Sequence, residues 1–158
     1  MIRATNEQDI EALVQLTAAT GTFKPLEIQA LREVLDDYFA ENQALGHCAV
    51  TSERDGQIMG FAYYAPAAMT EGTWQLWWIV VRKDVQAQGL GAEMLQFVED
   101  DVRRRQGRVL FIETSSLPHY ERTRQFYLRH EYEQHAVLND FYAAGDSMVI
   151  FRKALQGL

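Results

Sequence analysis

Gly89 and Gly91 are the residues whose type and spacing bear most directly on chemistry. They lie in the stretch Gln86-Ala87-Gln88-Gly89-Leu90-Gly91-Ala92-Glu93-Met94-Leu95. Glycine costs a helix roughly 1 kcal/mol relative to alanine, yet both stand where a run with helical spacing begins. The first turn of a helix leaves backbone N–H groups without intrahelical partners, and the helix dipole places partial positive charge there. Positions without side chains let an anion approach that backbone. One reading is therefore a pyrophosphate contacted by N–H groups from about Gln88 to Ala92. The other is a tight turn whose glycines permit close helix–sheet contact, and two glycines alone do not decide between them. The dinucleotide fingerprint does not fit, because the third glycine position is Met94 and the motif falls in mid-chain. A P-loop does not fit either, since no Gly-Lys-Ser/Thr follows. None of the four histidines has ligand spacing with Cys48 or with a second His, so no metal is expected.

The elements that must position this loop follow from hydrophobic period. Residues 2–5 read as a short strand, and Thr5 with Gln8 has capping-box spacing ahead of Ile10, Leu13, Val14 and Leu16. Pro25 can open a second helix with the apolar stripe Leu26, Ala30, Leu31, Val34, Leu35, Tyr38 and Phe39. Residues 47–53 and 57–65 read as strands joined by the turn Arg54-Asp55-Gly56. Trp74 to Val81 is nearly continuous apolar sequence, as in a strand buried on both faces. A helix is expected from about Leu90 to Gln106, with Leu90, Met94, Leu95, Val98 and Val102 on one face and Gly107 as its cap. Arg103, Arg104 and Arg105 suit the negative end of that helix dipole; a phosphate patch is the alternative. Val109 to Ile112 is a further strand, Tyr120 to His130 a helix, and Tyr132 to Leu138 with Met148 to Arg152 an antiparallel pair. The sum is one α/β (α+β) domain over residues 1–158. Its central sheet is twisted and mixed, mostly antiparallel, with about seven strands flanked by about four helices.

Composition narrows the classes. A chain of 158 residues, 47% hydrophobic and 23% charged, is long enough for one substantial core. The net charge of −7 argues against nucleic-acid partners and suits a cationic one. No apolar run approaches the roughly 20 residues that span a bilayer, and the N-terminus lacks the apolar core of a secretory signal. The single cysteine, Cys48, sits in apolar context and fits a reducing cytoplasm.

The segment Gln86-Ala87-Gln88-Gly89-Leu90-Gly91, after a hydrophobic strand, resembles motif A (Gln/Arg-x-x-Gly-x-Gly/Ala) of the GNAT superfamily of acyl-CoA-dependent acyltransferases. Ala92-Glu93-Met94-Leu95 looks like its continuation, and the element order matches over essentially the whole chain. A second stretch, Arg124-Gln125-Phe126-Tyr127-Leu128-Arg129-His130-Glu131-Tyr132, resembles the family's Phe-Tyr-x-x-x-Gly-Phe segment. Glu131 replaces the glycine and Tyr132 the last Phe. The resemblance implies acetyl-CoA as cosubstrate, pantetheine along Ile79, Val80 and Val81, and pyrophosphate on Gln86, Ala87, Gln88, Gly89, Leu90, Gly91 and Ala92. It also implies Tyr127 as the general acid for the departing thiolate, a role that suits a hydroxyl protonated at neutral pH. Many members carry Asn and Ala seven and four residues before that Tyr. Here Tyr120 and Thr123 occupy those positions, so CoA contact there falls to the Tyr120 hydroxyl or is missing, and the loop Ser115 to His119 looks longer than usual.

An ammonium must lose a proton before its nitrogen can attack a thioester, which calls for a base. Glu113, at the end of the strand Val109 to Ile112, is the leading candidate. Some members, including the bacterial ribosomal-protein N-terminal alanine acetyltransferases, resemble it in placing a Glu there; a surface carboxylate is the alternative reading. His119 and His130 are secondary candidates. In this fold the acceptor pocket implies Thr22, Phe23, Trp77, Tyr142 and Asp146, with Trp77 and Trp78 pointing to opposite sides of their strand. Phe141 to Asp146 is similar to the aromatic and acidic hairpin of the ribosomal-protein enzymes. The expectation is a cytoplasmic N-acetyltransferase, monomer or homodimer, acting on a small-molecule amine or a peptide N-terminus in a ternary complex. A non-catalytic acyl-CoA sensor of the same fold is the competing class.

Overall fold

The computed structural model describes residues 1–156. In chain order they form β1 (Ile2–Ala4), α1 (Ile10–Ala19), α2 (Pro25–Asp37), β2 (Cys48–Arg54), β3 (Gln57–Pro66), β4 (Thr73–Val81) and α3 (Leu90–Arg104). These are followed by β5 (Val109–Ser115), α4 (Glu121–Arg129), β6 (Glu133–Ala143) and β7 (Asp146–Ala154). The strands take the order β1-β2-β3-β4-β5-β7-β6. β4 and β5 run parallel, whereas β1–β2, β2–β3, β5–β7 and β6–β7 are antiparallel. This is the mixed, mostly antiparallel sheet with four helices that the alternation of hydrophobic periods predicts. No helix among the described residues is long and apolar enough to cross a membrane.

The chain divides into two compact units, Met1–Ala65 with Trp78–Val98, and Pro66–Trp77 with the chain from Glu99 onward. In the first unit Leu13, Leu31, Leu35, Phe61 and Tyr63 are fully buried. Pro25 does open α2, preceded by Lys24, whose N–H donates to the Glu27 carboxylate at 3.0 Å. The helix buries Leu31 and Leu35, and Tyr38, just past its end, is buried too. Leu26, in its first turn, is 77% exposed and does not belong to the stripe. The β2–β3 turn is built as expected, with Asp55 and Gly56 at φ 53° and 74°, as a type I′ hairpin requires.

The expected Thr5–Gln8 cap is not what forms. Asn6 N–H donates to the Asp9 carboxylate at 2.8 Å, and the Thr5 hydroxyl pairs with that of Thr51, buried, at 2.7 Å. A side chain already needed inside the core is not free to cap a helix.

The second unit buries Leu110 and Ile112 of β5, Val149 and Phe151 of β7, and Tyr127 and Tyr132, all at most 5% exposed, with the Tyr127 ring against those of Phe151 and Tyr132. β4 is not buried on both faces: Trp74, Leu76 and Val80 are inside, while Trp77 is 43% exposed. At the end of α3 the left-handed residue is Gln106, at φ 65°, rather than Gly107. Gly107 is needed for space instead, because a Cβ there would stand 2.8 Å from Trp74 Cδ1. Arg103 pairs with Asp100, and Arg104 and Arg105 pair with Asp101. The three arginines therefore serve the helix end rather than a phosphate patch.

Candidate active site

In the first unit, β4 delivers Ile79, Val80 and Val81 to a loop that starts α3. Gly60 of β3 lies against this strand so closely that a Cβ would meet the Val80 carbonyl oxygen at 2.6 Å and Met94 Sδ at 3.1 Å. The Gln86 side-chain amide donates to the Val81 carbonyl at 3.1 Å, tying the loop back to the strand it leaves. Val85 and Leu90 are buried and pin the loop at both ends, while Gln86, Ala87, Gln88 and Gly89 are exposed. Ala87 and Gly89 both adopt left-handed backbone, at φ 68° and 82°. Around the position of a Gly89 Cβ there is open space.

The Glu93 N–H donates to the Gly89 carbonyl at 3.0 Å. The N–H groups of Leu90, Gly91 and Ala92 precede this bond, at the positive end of α3. The arrangement has the features an anion site needs.

In the second unit, β5 runs past its expected end to Ser115, so Glu113 lies inside the strand, opposite Ile150 of β7. The residue as a whole is exposed, yet partial burial of its carboxyl removes solvation and raises its pKa above the usual range. Among the described residues it has no ion-pair partner. Tyr127 of α4 is 3% exposed, with ring centroids 5.4 Å from Phe151 and 6.0 Å from Tyr132. Burial pushes its hydroxyl pKa upward, and among the described residues nothing hydrogen-bonds that hydroxyl. Glu113 faces the same side of the sheet as Ile150, whereas Tyr127 packs on Phe151, the next residue of β7. Neighbouring residues of a strand point to opposite faces, so the carboxylate and the phenol belong to opposite faces of one sheet.

Tyr120 is buried just before α4, with its ring 4.5 Å from that of His119, and Thr123 lies half-buried in the first turn. The stretch from Ser115 is shorter than the expected loop, because Ser115 belongs to β5 and Pro118–Tyr120 forms a 3-10 turn. Glu131 takes a left-handed φ of 70° where the resembled motif has glycine. Tyr132, standing for the motif's Phe, donates its hydroxyl to the buried Glu99 at 2.9 Å; Lys153 donates to the same carboxylate.

The acceptor candidates separate. Phe23 meets Trp78 at a tilt, ring centroids 5.4 Å apart, in the first unit, with Thr22 beside it in sequence and Trp78 packed on the core. In the second unit Trp77 is exposed, as is Tyr142, which meets Phe141 edge-on at 5.3 Å. Asp146 is turned inward, 5% exposed, and accepts the Ser115 hydroxyl. It locks β7 to β5. No local pattern announces that pairing, because the two residues lie 31 positions apart. Sequence reasoning also passed over Arg124, which is more than a motif neighbour of Tyr127. Among the described residues no group of three or more His, Cys, Asp or Glu side chains gathers as a metal site.

The model of the acetyltransferase (GNAT) family matches residues 11–132. No curated protein matches the sequence. Among solved structures, a GNAT-family protein from Desulfovibrio desulfuricans is 37% identical, with 99% of each chain covered and a TM-score of 0.93. An aminoglycoside 6′-N-acetyltransferase complexed with coenzyme A shares the fold at 17% identity, TM-score 0.81, covering 100% of this chain and 98% of the other. A ribosomal-protein-alanine N-acetyltransferase from Brucella melitensis does so at 18% identity, TM-score 0.75, covering 98% and 99%.

Proposed function

The chain belongs to the GNAT acetyltransferase family, and from that premise we propose that it transfers an acetyl group from acetyl-CoA to a primary amine by direct attack in a ternary complex. The observation that carries this reading is the exposed loop at the start of α3, where Ala87 and Gly89 take left-handed backbone and the first N–H groups of the helix are free for an anion; Glu113 is the proposed base and Tyr127, buried with an uncommitted hydroxyl, the proposed acid. Glu113 accepts a proton from the amine, directly or through water. The amine nitrogen bonds to the acetyl carbon as the carbon–sulfur bond breaks. Tyr127 then gives its proton to the departing thiolate. A carboxyl with a raised pKa is a better base than an ordinary one, provided it is ionised at the working pH. The glycine loop holds the pyrophosphate, and Ile79 to Val81 hold pantetheine.

The acceptor is a small-molecule amine or a peptide N-terminus. The net charge of −7 and the exposed Glu113 favour a cationic group. Exposed Trp77, Phe141 and Tyr142 supply aromatic surface for its apolar part. The test is release of CoA thiol from acetyl-CoA across a panel of aminoglycosides, small amines and short peptides. The reading expects release that saturates with at least one amine. Tight CoA binding with no amine-dependent release would make the protein an acyl-CoA sensor.

A further inference from the structure

We infer that Arg124 is a positioning residue for the transfer, holding the strand of Glu113 and the helix of Tyr127 in fixed relation; the inference rests on the acid and base roles proposed above. α4 has only nine residues, a length at which a helix is marginal without tertiary support. β5, by contrast, is fixed by backbone pairing to β4 on one side and β7 on the other. Five residues, Ser116 to Tyr120, connect the two elements.

Arg124 bridges that connection from its α4 end. One guanidinium nitrogen donates to the Ser115 carbonyl at 2.7 Å and the Leu117 carbonyl at 3.0 Å, and the other pairs with Glu121 at 2.7 Å. Its side chain is only 14% exposed. The connection's other side is bonded to β7. Ser116 N–H donates to the Ser147 carbonyl at 2.9 Å, Ser147 N–H donates to the Ser116 hydroxyl at 2.8 Å, and the Ser115 hydroxyl donates to Asp146. The Ser115 oxygen in turn accepts from Leu117 N–H at 3.1 Å. The segment between base and acid is thus held on both flanks, and Arg124 is the clamp that belongs to the helix of the acid. Because the guanidinium is planar with several donors, it serves two carbonyls and a carboxylate together, which a lysine ammonium on a flexible stem does less well. A displacement of about 1 Å at reacting groups can cost ~10²-fold in rate.

Arg124→Gln and Arg124→Lys are compared with the parent for kcat, KM for acetyl-CoA, CoA affinity by calorimetry and thermal midpoint, alone and combined with Tyr127→Phe. In a folded Arg124→Gln protein, kcat falls about tenfold or more while CoA affinity stays within about twofold, and Arg124→Lys recovers part of the loss. With Phe already at 127, the Gln substitution costs less than about threefold further, because its effect runs through the tyrosine. A folded Arg124→Gln protein with kcat within about twofold of the parent overturns the inference, as does a fully additive double variant. If Arg124→Gln does not fold, Arg124→Lys decides: a loss of at least about threefold in kcat at unchanged CoA affinity supports the role, and a smaller loss overturns it. Parental kcat in Tyr127→Phe alone sinks the acid assignment and this inference with it. An impaired Tyr127→Phe beside an unimpaired Arg124→Gln sinks this inference only.

Discussion

Tyr127 contributes one oxygen, and phenylalanine fills nearly the same volume against Phe151 and Tyr132. Tyr127→Phe is therefore expected to keep the fold and acetyl-CoA binding while kcat falls toward the low end of the ~10²–10⁴-fold range of general acid catalysis, since a thiolate leaves tolerably without a proton. Steady-state kinetics check this: a fall in CoA affinity that matches the fall in kcat would make Tyr127 a binding residue. Glu113 carries a pH prediction. Its pKa is raised, so if it is the base, as proposed, it stays protonated, and the rate low, up to a higher pH than an ordinary glutamate would. Glu113→Gln should abolish that rising limb of the pH–rate profile, and an unchanged profile would return Glu113 to a structural role. The raised pKa also means that ionised Glu113 disfavours the fold. The variant's thermal midpoint should thus meet or exceed the parent's at neutral pH, with the difference vanishing below the usual carboxylate range. Both candidates come from the sequence, Tyr127 from the motif resemblance and Glu113 from its strand position. The inward turn of Asp146 was not visible there, because its partner Ser115 is near it only in the folded sheet.

The elements were legible wherever period alone decides them. The α3 face from Leu90 to Val102 and the β2–β3 hairpin with its Asp-Gly turn emerge as read. Ends were less legible, because tertiary contacts set them: β5 gains Glu113 to Ser115 by pairing with β7, and Thr5 leaves its capping position for Thr51. The glycines divide in the same way. Gly89 needs its left-handed φ, so any side chain there strains the backbone as well as meeting a ligand. Gly91 lies in the ordinary helix of α3, and Gly91→Val is the cleaner probe. It should weaken CoA binding at least tenfold, about 1.4 kcal/mol, and calorimetry on the folded variant giving parental affinity would remove the pyrophosphate from this loop. Gly60 gave no functional signal in the sequence, yet it sets how closely β3 approaches Val80. Gly60→Ala forces a Cβ toward a backbone carbonyl, an overpacking expected to cost about 1–3 kcal/mol of stability. Because the shifted carbonyl belongs to the proposed pantetheine strand, CoA affinity should fall too. A variant as stable as the parent would show that the strands give way freely.

At the scale of the whole molecule, the element order and the acetyltransferase family follow from patterns spread along the chain, so both were readable; the strand order within the sheet comes only from the fold. The acceptor was not readable, because its candidate contacts, Thr22, Phe23, Trp77 and Tyr142, come from separate segments and share no motif. Cys48, the one thiol, is buried and its Sγ donates to the Gly46 carbonyl, so it is poorly placed to carry an acetyl group between substrates. The proposed direct transfer makes a kinetic demand on the entire protein: acetyl-CoA and amine must be bound together before any thiol is released. The decisive measurement is the initial rate of thiol release over a matrix of acetyl-CoA and amine concentrations, using the best acceptor found. The account predicts release that depends on both substrates and double-reciprocal lines that intersect. Parallel lines, or release at the same rate with and without amine, would contradict it.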